Sequence, residues 1–147
     1  MDDAIQPNLR RFELARQQLI AQVCKKHGVT RTEFDALDEL STTDGMTPGE
    51  LGERLGLTSG SVTALIDRLE RLGWASRAPH PADRRKVLVV ASPAALGIGL
   101  AEIGPMVVAI AELAAGYPAK ERKAIERFLA EAADAVDAIV ESRRVGS

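Results

Sequence analysis

The chain has 147 residues, 46% of them hydrophobic and 27% charged, with a formal net charge of -2. That length suits one domain with a real hydrophobic core and is short for two; no run of apolar residues approaches the roughly 18 that span a membrane, so a soluble protein is expected. Cys24 is the single cysteine, which excludes an intrachain disulfide and points to a reducing cytoplasm unless two chains are bridged.

The N-terminal stretch "MDDAIQPNLRRFELARQ" is acidic and then amphipathic, without the basic, apolar and small-residue regions of an export signal. From residues 9 to 26, Leu9, Phe12, Leu19 and Val23 recur at three- and four-residue spacing, which predicts a helix stopped at His27 and Gly28. A shorter helix is expected from Thr32 to Leu40, with Phe34, Leu37 and Leu40 on one side, followed by a loop at "STTDGM".

"TPGELGERLG" carries strong boundary chemistry. Thr47 can cap, Pro48 suits the first helical position, Glu50 completes a capping box, and Gly56 closes the helix after about two turns. Thr58 then caps a further helix ending at Gly73, in which Val62, Leu65, Ile66, Leu69 and Leu72 form a core face. Its opposite face carries Ser59, Ser61, Thr63, Asp67, Arg68 and Arg71. Two helices joined around a glycine, the second with a polar outer face, outline a helix-turn-helix. "WASRAP" and "RKVLVVA" then read as two strands separated by "HPAD", a hairpin behind the second helix. The fold class is therefore mainly α with a small β-hairpin, a winged helix-turn-helix with five or six helices.

The remainder is alanine-rich and helical. Ser92 and Pro93 open it, Pro105 should bend it, and Gly116, Tyr117 and Pro118 separate a last helix with a long apolar stripe of Ile125, Phe128, Leu129, Ala132, Val136 and Ile139. That stripe lies outside the winged helix and requires a cover.

From Glu53 to Lys86 there are seven bases against four acids, so a positive segment sits in a slightly negative chain, and local fields decide where phosphate is attracted. A major groove admits one α-helix, read from its N-terminal part. Ser59, Ser61 and Thr63 offer hydroxyls to bases or phosphates, with Arg68 in reach of phosphate further along. A narrow minor groove attracts an inserted arginine. In an extended segment Asp83 and Arg85 project to the same side, so Asp83 would orient the Arg85 guanidinium, leaving Arg84 and Lys86 to phosphates. The alternative is an edge strand guarded by charge against aggregation, just as the helix residues could be ordinary solvated surface.

From Thr47 to Ser92 the chain resembles the MarR family of winged-helix transcriptional regulators, most specifically in the Asp-x-Arg motif of Asp83 and Arg85 followed by "VLV". The resemblance implies a homodimer joined through its N- and C-terminal helices, residues 1–30 and 93–147, around a DNA-binding domain at 31–92. It implies a repressor of transcription on double-stranded DNA at a near-palindromic operator, released by a small-molecule effector bound between the dimer helices and the winged domain. Ala64 and Ser59 stand where the family often carries a base and a proline, and "SPAALG" replaces a threonine-rich segment.

Other residues invite weaker readings. Cys24 could sense oxidants if its thiol were exposed with a lowered pKa, but on an apolar stripe it reads as core. Cys24 and His27 form a C-x-x-H pair too sparse for zinc. His80 reads as a turn residue or weak phosphate contact, and Trp74, at the start of the first wing strand, as core. No phosphate loop, H-E-x-x-H or Gly-x-Ser-x-Gly elbow is present, so neither an enzyme, a cofactor nor a metal is expected. The rival classes are a winged helix used only for protein contacts and a small enzyme or ligand carrier in which the helical part is the active portion.

Overall fold

A computed structural model describes residues 4–145; the acidic Asp2 and Asp3 noted above lie outside them. The chain divides into two compact units, Met1–Glu102 and Ile103–Ser147.

The first unit runs α1 (Ile5–His27), α2 (Arg31–Ser41), α3 (Pro48–Leu55), α4 (Ser59–Arg71), β1 (Ala75–Pro79), β2 (Val87–Ala91) and α5 (Pro93–Glu102). Helix starts are fixed by side chains that satisfy otherwise orphaned backbone N–H groups. Thr47 Oγ1 accepts from the Glu50 N–H at 3.2 Å and Glu50 accepts in return from the Thr47 N–H at 2.8 Å. An equivalent box joins Thr30 and Glu33 at the start of α2. Between α3 and α4 the chain turns through Gly56 at φ 65°, a left-handed conformation that suits glycine, and Thr58 then caps α4. Gly52 lets the two helices approach closely, since a Cβ there would stand 2.7 Å from Val62 Cγ2.

The core gathers Ala36 and Leu40 from α2, Leu51 from α3, Val62, Leu65, Ile66 and Leu69 from α4, Ala75 and Val89 from the hairpin, and Met46 from the loop before α3. Met46 adds a third short edge, exchanging backbone hydrogen bonds with Val89 at 2.7 and 3.0 Å. Burying each large side chain of this set contributes about 1.5–3 kcal/mol. Leu72, expected among them, is only half-buried as the C-cap of α4. Only the C-terminal part of α1 joins the interior, through Ile20, Val23 and Cys24, while Leu9 and Phe12 of the expected stripe are exposed.

The second unit holds α6 (Gly104–Ala115), a turn at Gly116–Pro118, and α7 (Ala119–Val145). Pro105 interrupts the helix outright: α5 ends at Glu102 and α6 restarts with the proline in its first turn, where its missing N–H costs nothing. The described residues thus hold seven helices rather than five or six. None of this unit's described residues is buried; Val107, Val108 and Leu113 of α6 and Phe128, Leu129, Val136 and Ile139 of α7 are all exposed. Among the described residues no single helix is long and apolar enough to cross a membrane.

Candidate nucleic-acid interface

At 3.6 residues per turn, α4 buries Val62, Leu65, Ile66 and Leu69 and presents the rest in three strips. The outermost carries Gly60, Ala64, Asp67 and Arg71, so it is mostly small. Ser61 and Arg68 flank it on one side, and Ser59, Thr63 and Glu70 on the other. The four residues picked out from the sequence are therefore split between two flanks. Thr63 Oγ1 donates to the Ser59 carbonyl at 3.0 Å, and Ser61 Oγ accepts from Thr58 Oγ1 at 2.9 Å, which leaves the Ser61 hydroxyl proton for another acceptor. Exposed Arg71, on the outermost strip, is a basic candidate that attention to the N-terminal half of the helix passed over.

Arg68 is half exposed and its Nε donates to Glu33 Oε1 at 3.3 Å. On the other flank, Arg77 of β1 is gripped by two carboxylates of α4. It donates through Nη2 to Asp67 at 2.9 Å and through Nη1 to Glu70, whose other oxygen accepts the Arg77 backbone N–H at 3.1 Å. The Asp67 hydrogen bond leads the influences that raise the guanidinium pKa above its ordinary value. This bracket ties the first wing strand to the candidate reading helix, and the sequence offered no signal for it beyond the spacing of Asp67 and Glu70.

The wing pairs antiparallel from Ala75 with Ala91 to Pro79 with Val87. Its tip is longer than "HPAD": Arg85 and Lys86 are not in the second strand, which starts at Val87. The reason is Asp83, whose Oδ1 accepts the Arg85 backbone N–H at 3.0 Å while its carbonyl accepts from the Lys86 N–H at 3.0 Å. Such a side-chain turn competes with the ladder. Asp83 and Arg85 are coupled as expected but through a turn, not along an extended strand; Arg85 Nε lies 3.7 Å from Asp83 Oδ1 and its side chain is 95% exposed. Arg84 and Lys86 are also exposed. His80 closes the turn from the other end, its Nδ1 accepting from the N–H groups of Ala82 and Asp83 at 3.1 and 3.2 Å, so it is a turn residue. Glu50 at the start of α3 is held below the ordinary carboxylate range, chiefly by the Thr47 backbone hydrogen bond.

Two weaker candidates resolve differently. Cys24 is buried, its Sγ lies 3.8 Å from the Thr30 carbonyl, and burial pushes its thiol pKa up, the opposite of a reactive cysteine. His27 turns away from it to Glu102 Oε1 at 2.9 Å and meets Trp74 edge-on at 6.1 Å. Trp74 itself is half-buried and precedes β1 rather than starting it, because its N–H closes the end of α4 by donating to the Leu69 carbonyl at 2.9 Å. Among the described residues no group of three or more potential metal ligands comes together.

A helix-turn-helix with a hairpin closed behind its second helix defines a winged-helix protein. The MarR family model matches residues 27–86. The HTH-type transcriptional regulator YcgE of Bacillus subtilis (strain 168) is 36% identical over 110 residues, covering 75% of this chain and 71% of that protein. The chain belongs to the MarR family of transcriptional regulators. Among solved structures, a mutant MepR from a multidrug-resistant S. aureus clinical isolate superposes with a TM-score of 0.74 at 16% identity, over 92% of this chain and 99% of that one. Streptococcus pneumoniae FabT in complex with DNA gives 0.67 at 18% identity, over 93% and 99%. These two likenesses show the fold.

Proposed function

We propose that this regulator binds double-stranded DNA in the cytoplasm as a homodimer, represses transcription from a near-palindromic operator, and is released by a small-molecule effector. The observation that carries the reading is the wing tip, where Asp83 builds a turn that holds Arg84, Arg85 and Lys86 in solvent on a hairpin tied to α4 through Arg77. An arginine so displayed suits the negative potential of a minor groove, while the small and hydroxyl residues of α4 suit close approach to a major groove. Ser59, Ser61, Thr63 and Arg68 would contact bases and phosphates from the helix, and Asp83, Arg84, Arg85 and Lys86 would act from the wing. That FabT, which shares the fold, was solved with DNA supports the DNA-binding reading.

The dimer is supported by apolar faces that the chain leaves exposed, Ile5, Leu9 and Phe12 on α1 and the stripes of α6 and α7, which a second copy would cover along residues 1–30 and 93–147. Two reading helices would then enter successive major grooves about one helical turn apart. An effector that favours a dimer with misplaced reading heads must weaken DNA binding by the same coupling free energy. Selection of genomic fragments by the purified protein tests the reading. Recovered fragments should share an inverted repeat with half-sites one turn apart; recovery of no sequence above background would count against it.

A further inference from the structure

Glu33 is the buried charged residue of the described chain, 7% exposed. Its two oxygens have separate duties. Oε2 accepts the Thr30 N–H at 2.9 Å and completes the cap of α2, whereas Oε1 reaches across to α4 and accepts from Arg68 Nε at 3.3 Å. The cap needs only one acceptor, and glutamine fills that position as well as glutamate. The second oxygen, and the negative charge, are therefore explained by Arg68.

Arg68 is held at one end only. Its side chain is 45% exposed against 9% for that of Glu33, and its Nη1 and Nη2 groups make no hydrogen bond among the described residues. A guanidinium offers its donors in a rigid planar fork. Once Nε is fixed by a buried carboxylate, the plane of the fork is set and the outer amino groups are those left for a phosphate. An unheld arginine would lose its freedom only on meeting DNA, and ordering it beforehand reduces that loss. Arg68 shares a flank of α4 with Ser61, whose hydroxyl proton is also uncommitted.

We infer that Glu33, although it touches no DNA, is a positioning residue that aims Arg68 at a backbone phosphate. The inference rests on the DNA-binding reading above, and it makes a prediction opposite in sign to simple charge. Removing an acid near a polyanion should by Coulomb attraction tighten binding. Removing the acid that aims Arg68 should loosen it.

The experiment measures anisotropy on the duplex that the wild type enriches from a random-sequence pool, at several salt concentrations, for wild type, Glu33→Gln, Arg68→Ala and the double variant. Arg68→Ala should weaken binding and reduce the salt slope by about 1. Glu33→Gln, which keeps the cap, should weaken binding about fivefold, more than its small loss of melting temperature accounts for, and should have no effect on binding once Arg68 is alanine. If Glu33→Gln binds as tightly as wild type or more tightly, or weakens binding equally in the Arg68→Ala background, Glu33 only caps α2 and the inference is wrong. If the wild type enriches no duplex at all, the DNA-binding reading fails and the inference falls with it.

Discussion

Replacing Gly52 with alanine should destabilise the protein although alanine is the better helix former. The added Cβ would stand 2.7 Å from Val62 Cγ2 and 3.4 Å from the Leu57 carbonyl oxygen, against an optimal carbon–carbon separation of about 3.5–4.0 Å. Val62 is 2% exposed inside α4, and a β-branched side chain in a helix keeps essentially one χ1 rotamer. It cannot swing aside, so α3 and α4 must move apart. Overpacking of this kind costs about 1–3 kcal/mol, and removing a glycine from a helix returns about 0.5–1 kcal/mol, which leaves a net loss centred near about 1 kcal/mol and reaching about 2.5 kcal/mol. Gly60 provides the control, because a Cβ there meets nothing within 4 Å, and Gly60→Ala should gain about 0.4–1 kcal/mol. Urea unfolding followed by circular dichroism, at one fixed protomer concentration, reads both as midpoint shifts at constant m-value. A Gly52→Ala variant as stable as the wild type would refute the argument that backbone approach at Gly52 sets the crossing of the two helices.

Three further outcomes are expected. Arg77→Ala should cost only about 1 kcal/mol of stability, since the bracket is a third exposed and screened by solvent, yet weaken DNA binding more than that loss alone explains; equal effects on unfolding and on anisotropy would mean the bracket is purely structural. Cys24 should resist iodoacetamide in the native protein at neutral pH and react readily in urea, because burial raises its thiol pKa; mass spectrometry showing fast native alkylation would reverse that account. The Glu102 carboxyl is held below the ordinary range by hydrogen bonds from Lys26 and then His27. A depressed folded pKa contributes stability above the unfolded value and loses it as pH falls through the folded one. Wild type should therefore exceed Glu102→Gln in urea midpoint at neutral pH, with the gap closing in acid; a gap that persists in acid would contradict the assignment.

Much of the fold could be read from local chemistry, as at Thr47, Pro48, Glu50 and Gly56, where each residue type answers a need of the adjacent backbone. The same signal was present at Thr30 and Glu33, a capping box that starts α2 earlier than the apolar spacing from Phe34 suggests. What the chain order hides is pairing across it. Met46 pairs with Val89 through a single bridge, too short to show alternation. Arg68 finds Glu33 and Arg77 finds Asp67 and Glu70 only after the helices have packed. At the wing, strand propensity in "RKVLVVA" was outweighed locally by one aspartate, so Arg85 and Lys86, read as the start of the second strand, belong to the tip instead. Leu9 and Phe12 have the spacing of core residues and are nevertheless exposed in the single chain.

Contact between the wing tip and DNA is read directly by one titration. Anisotropy is measured on a duplex from upstream of the protein's own gene and on a scrambled duplex as salt rises, with Arg85→Ala beside the wild type. A wing seated on DNA requires preference for the native duplex, a steep fall of affinity with salt, and a loss on the order of 1 to 3 kcal/mol for Arg85→Ala. Binding that ignores salt and sequence, with Arg85→Ala indistinguishable from wild type, would contradict it and leave the charged tip as a guard on an exposed strand.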